Sequence, residues 1–131
     1  MPRTVTLALD LPCPPARLYA MYLNPKIHAA ITGTPVKIAA RPGARFEAFG
    51  GALTGTILQV IPKRLIVQSW RSTQFGKRDL DSTLILSFFA LDKGGRIELT
   101  HVNVADGDFG GVSEGWSKYY FVPWRTYLTR T

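Results

Sequence analysis

A chain of 131 residues, 46% of them hydrophobic, is long enough for one ordinary domain with a core of its own and needs no metal or disulfide to hold it. Sixteen Lys and Arg against nine Asp and Glu give a net charge of +7, yet the cations fall singly or in pairs with no run of five, so no specific nucleic-acid partner is expected. No apolar run approaches the roughly 20 residues that span a bilayer and the N-terminus lacks a signal-peptide layout, which makes the cytoplasm the expected compartment.

Residues 3–11 alternate, with Val5, Leu7, Leu9 and Leu11 on one face and Thr4, Thr6, Ala8 and Asp10 on the other, the pattern of a half-buried strand. Pro12, Pro14 and Pro15 end it, because proline cannot donate to a sheet ladder. Pro15 suits the first turn of a helix over ARLYAMYL, where Leu18, Met21 and Tyr22 recur at helical spacing. Cys13, the one cysteine, has neither a CxxC partner nor a neighbouring histidine and reads as a bystander. Asn24 is a good N-cap and Pro25 a good first residue for a second short helix, KIHAAIT, which Gly33 ends.

A short strand at 35–39 and a turn at Arg41-Pro42-Gly43 lead into strand-like runs at 44–49, 53–61, 64–72, 80–91 and 96–104. Gly50-Gly51, Pro62-Lys63 and Lys93-Gly94-Gly95 read as hairpin connections, which pairs consecutive strands antiparallel. Residues 105–111 read as a flexible acidic loop, and Ser113 as the cap of a last helix that runs to about Leu128. Asp106 and Asp108 lack the spacing of a calcium loop, and acids before a helix are favourable without any metal. Along the last helix Trp116, Tyr119, Tyr120, Pro123 and Tyr127 make one apolar stripe, while Phe121, Trp124 and Leu128 make a second. One stripe seals a sheet; the other needs the short helices or another molecule, which leaves a homodimer open. Pro123 removes a backbone hydrogen bond and predicts a bend. A sheet with one apolar face needs a cover, and the last helix is the one long enough, so the fold class is α+β.

Five fragments in order carry a family resemblance: PxxLYxMYLNPxxHAAITG at 15–33, Phe49-Gly50-Gly51 with Gly55, PKRLIVQSWR at 62–71, LTH at 99–101 and GWSKYY at 115–120. The chain resembles, over essentially residues 1–131, the homologues of the activator of heat-shock protein 90 ATPase within the START-like superfamily. The resemblance implies a single domain of the helix-grip fold, a curved antiparallel sheet wrapped around a long C-terminal helix, with two short helices between strands 1 and 2. It also implies an apolar cavity between sheet and helix. The length has room only for the domain that resembles the activator's second half, so the expectation is that this chain does not by itself stimulate the chaperone.

Spacing offers no catalytic constellation, since the two histidines, His28 and His101, stand without HxH, HExxH or CxxC, and the P-loop, GxGxxG and GxSxG are absent. No catalytic residue, metal site or cofactor is nominated. Strand phase places His101 with Ile97 and Leu99, and Gln68 with Ile66 and Trp70; the resemblance turns the Trp70 side inward. The leading expectation is a non-enzymatic module that binds a small hydrophobic or aromatic molecule. Phe46, Trp70, Leu99, Trp116 and Tyr120 supply walls, with Gln68 and His101 as polar anchors. Alternatively, these two satisfy each other, the backbone or a buried water. A chaperone or other protein partner is the second reading, and an enzyme using His101 as acid or base, on superfamily analogy alone, the third.

Overall fold

The computed structural model describes residues 2–129. Strand β1 (Arg3–Leu11) precedes helices α1 (Pro15–Leu23) and α2 (Pro25–Thr32), and strands β2 (Val36–Lys37), β3 (Arg45–Ala48), β4 (Leu53–Ile61), β5 (Leu65–Ser72), β6 (Ser82–Leu91) and β7 (Gly94–Val104) follow. All seven join one antiparallel sheet in the order β1-β7-β6-β5-β4-β3-β2, so the first strand closes beside the last and the rest form a meander. The chain then runs without a break through α3 (Phe109–Gly115), a π-helical turn (Trp116–Phe121) and α4 (Val122–Thr129). This is the helix-grip architecture.

The local chemistry behind the short helices is that read from the sequence. Asn24 accepts hydrogen bonds from the backbone N–H groups of Lys26 at 2.9 Å and Ile27 at 3.1 Å, and Gly33 closes α2 in the left-handed conformation, φ 84°. Alternation also holds along the sheet: Ile57, Ile66, Leu84, Leu86, Ile97 and Leu99 face inward and are fully covered. Leu18, Met21 and Tyr22 of α1 and Ile31 of α2 pack over one end of that surface, and the C-terminal helix over the rest.

Four features differ from expectation. The strand at 35–39 shrinks to two residues, and the run from 80 starts at Ser82, leaving Leu80 exposed. The last helix begins at Phe109, not at Ser113, although Gly110 and Gly111 in its first turn are poor helix formers. Tertiary contacts outweigh propensity there: Val112 is buried, and the Arg3 guanidinium lies 3.8 Å above the centre of the Phe109 ring.

The fourth difference is the π turn. Pro123 has no N–H for the carbonyl four residues behind it, and the turn before it widens so that Val122 N–H bonds to Ser117 O. A five-residue step brings Trp116, Tyr120, Phe121 and Trp124 to the same buried side, merging parts of the two expected stripes, and turns Tyr119 outward to 49% exposure.

Candidate functional site

A groove of about 510 Å³ lies where α3 and the π turn cross the ends of β4 and β5. Its large walls are Phe49, Leu53, Trp70, Trp116, Tyr119 and Tyr120. The rings touch in sequence: Trp70 to Trp116 at 6.2 Å between centroids, Trp116 to Tyr120 at 4.9 Å, Tyr120 to Phe49 at 6.2 Å and Phe49 to Tyr119 at 5.8 Å. The helix side is hollow because Gly111 and Gly115, one helical turn apart, present no side chain to it. Asp108, Glu114 and Lys118 are the charged residues of its lining.

Behind the aromatic wall runs a relay of hydrogen bonds. The Trp116 indole N–H donates to His101 Nδ1 at 3.1 Å, so Nδ1 bears no proton and the neutral ring carries its hydrogen on Nε2. Nε2–H then donates to Ser82 Oγ at 2.7 Å, and the Ser82 hydroxyl donates to the Trp70 carbonyl at 2.7 Å. Each member has one donor facing one acceptor. The imidazole also meets the Trp70 ring edge-on at 4.6 Å, so His101 fixes both indoles of the groove from the core side. Burial lowers its pKa to about 3, and protonation would set a second donor against the Trp116 N–H.

A second chain of bonds crosses the core. Tyr22 OH donates to Gln68 Oε1 at 2.6 Å, His28 Nδ1–H donates to the Tyr22 carbonyl at 2.8 Å, and Tyr120 OH donates to His28 Nε2 at 2.8 Å. Burial lowers the His28 pKa to about 4 and raises those of the Tyr22 and Tyr120 hydroxyls. Gln68 Nε2 and the indole N–H groups of Trp70 and Trp124 are buried without a protein partner.

The residues expected at a ligand site therefore separate into two depths. Trp70, Trp116 and Tyr120 line the groove. His101 sits one step behind it, and Phe46, Gln68 and Leu99 are fully enclosed in the packed core and are not part of its lining. Gln68 and His101 bond to other buried side chains, Tyr22, Ser82 and Trp116, and not to each other or the backbone. With both ring nitrogens committed inward, His101 is not placed to exchange a proton with a groove ligand. Sequence reasoning missed Phe49, Leu53, Asp108, Gly111, Gly115 and Tyr119 as lining; the legible signal was the glycine pair at 111 and 115 beside Trp116 and Tyr119, at helical spacing.

Among the described residues no group of three His, Cys, Asp or Glu could hold a metal, and no helix is long and apolar enough to cross a membrane. Cys13 is buried, and desolvation raises its thiol pKa.

The family described as Activator of Hsp90 ATPase homolog 1-like protein matches residues 12–122. The human "Activator of 90 kDa heat shock protein ATPase homolog 1" is 26% identical over 119 residues, covering 89% of this chain and 34% of its own length. A Dictyostelium discoideum homologue is also 26% identical, over 89% of this chain and 31% of its own. The chain thus spans about a third of the curated relatives it matches. Among solved structures, a protein from Mesorhizobium loti superposes with TM-score 0.84 at 21% identity, covering 98% of both chains. An HSP90 activator from Plasmodium falciparum gives 0.79 at 17% identity over 91% of this chain and 90% of that one. The Aha1 dimer from Colwellia psychrerythraea gives 0.82 at 11% identity over 98% and 97%. These structures share the fold, and the match over residues 12–122 supplies the lineage: the chain belongs to the Activator of Hsp90 ATPase homolog 1-like family.

Proposed function

We propose that this chain is a non-enzymatic binding module that takes a small apolar or aromatic molecule into the groove between the C-terminal helix and the ends of β4 and β5. The observation that carries this reading is the groove itself, about 510 Å³ and walled by four touching aromatic contacts, within the range of small-molecule sites. The relay through His101 and Ser82 holds the Trp116 indole N–H and the Trp70 carbonyl before any ligand arrives, which lowers the ordering cost of binding.

Gly115 provides the test. Its backbone is helical, φ −62°, and a Cβ there would meet nothing closer than the Tyr119 ring at 3.6 Å. Gly115→Ala is therefore expected to raise stability by roughly 0.5 to 1 kcal/mol. Gly115→Leu extends further beside Tyr119 and is expected to weaken binding of the neutral dye N-phenyl-1-naphthylamine about tenfold or more, read by dye fluorescence and tryptophan quenching. Unchanged dye affinity in a folded Gly115→Leu protein would place the ligand elsewhere.

A second reading, a co-chaperone-like interaction module, is favoured by the likeness to activators of the 90 kDa heat-shock protein ATPase. Saturable stimulation of the cognate chaperone's ATP turnover that Gly115→Leu leaves intact would decide for it over ligand binding.

A further inference from the structure

The groove's charges run against those of the whole molecule. The chain carries +7, yet the acidic and basic side chains lining the groove are two carboxylates, Asp108 and Glu114, and one ammonium, Lys118. That ammonium lies 5.3 Å from the centre of the Tyr119 ring, so one groove aromatic already attracts a cation. Among the described residues no ion pair joins Lys118, or any other cation, to Asp108 or Glu114.

Resting on the ligand-binding reading above, we infer that the groove selects organic cations: molecules with an aromatic or alkyl body and an ammonium head, the body against Trp70 and Trp116 and the head beside Asp108. The aromatic walls alone would accept any apolar molecule of fitting size. The charge set narrows the choice, because an anionic head would meet two carboxylates, and a neutral one would leave Asp108 half-buried with no counter-charge. An ammonium supplies that charge and gains from the ring faces as well. Asp108 is also held in place. Its Oδ1 packs against Gly111, where a Cβ would come within 2.9 Å. Burial, the larger cause, raises its pKa, and a hydrogen bond from Ser72 partly offsets that.

Three probes with one skeleton separate this inference from the reading beneath it: 3-phenylpropylammonium, 3-phenylpropanol and 3-phenylpropanoate. Binding is measured by calorimetry and by shifts of the Trp70 and Trp116 indole signals in nitrogen–proton spectra. The ammonium is expected to bind about tenfold tighter than the alcohol, with the carboxylate weakest. Asp108→Asn should reduce the ammonium to the level of the alcohol and leave the alcohol unchanged. Glu114→Lys, at an exposed helix position, should weaken the ammonium and strengthen the carboxylate even if Asp108→Asn fails to fold. Equal binding of all three, or preference for the carboxylate, overturns the cation inference and leaves the ligand-binding reading standing. Indole signals unmoved by every probe sink both.

Discussion

Between pH 7 and about pH 4.5 the protein is expected to lose about 5 kcal/mol of stability, a large share of what a domain this size has. The loss comes from two histidines. His28 and His101 titrate at about 4 and about 3 in the folded chain because burial disfavours their charged forms, against 6.5 when exposed. Below 6.5 the unfolded chain takes up two protons that the folded chain refuses, so stability is complete above that pH and falls as pH drops. Each site costs about 1.4 kcal/mol per pH unit until its own folded value is reached. Asp108 works the other way: its raised pKa lets the folded state hold a proton at higher pH than the unfolded one, adding stability as pH falls. One partly buried carboxyl does not offset two enclosed imidazoles. Urea unfolding midpoints measured from pH 7.5 down to the acid transition give the slope directly. A flat profile between 6.5 and 5 would mean that at least one imidazole opens to water in the folded state.

Gly55→Ala is expected to cost about 3 kcal/mol or more, the upper end of overpacking penalties. A Cβ on Gly55 would lie 1.9 Å from the Ser69 carbonyl oxygen and 2.8 Å from its carbon, and both obstacles are backbone. The neighbouring ladder shows why the strands come so close. Thr54 pairs with Arg71 and Ile57 with Gln68, but between them Thr56 N–H bonds to the Ser69 hydroxyl at 2.9 Å, not to a backbone carbonyl. Gly55 lets β4 approach the Ser69 peptide of β5, and the added carbon would force that peptide away. Denaturant unfolding gives the loss, and intrinsic tryptophan emission should shift with it. A variant within about 1 kcal/mol of the parent would show that the two strands can separate freely at this crossing.

Punctuation and period were the legible part of this chain. Asn24-Pro25 and Gly33 bound α2 because capping is a local event decided within a turn of helix. Alternation grouped Ile66, Gln68 and Trp70 on one face of β5, which the family resemblance turned inward, and set Ile97, Leu99 and His101 inward on β7, since every second side chain of a strand shares a face. Depth was not legible. The same alternation that sends Trp70 to a groove sends Gln68 into solid packing, because which of them meets open space depends on what lies across the core. Tyr22 is 46 residues from the glutamine it satisfies, and Tyr120 is 92 from His28. No spacing rule links such pairs. The groove was hidden for a related reason: it is defined by side chains that Gly111 and Gly115 lack.

The widened turn at Trp116–Phe121 separates α3 from α4 within one continuous helix. Upstream, α3 and the turn before it carry the glycines and acids that shape the groove; downstream, α4 rests on α2 and buries Trp124. In an unbroken α-helix a residue added or lost at one end rotates the other by roughly 100°. Here the turn already accommodates a surplus residue, and a change of register has somewhere to be absorbed before it reaches Trp124. Sequence change in the first half can thus reshape the groove without unseating the second.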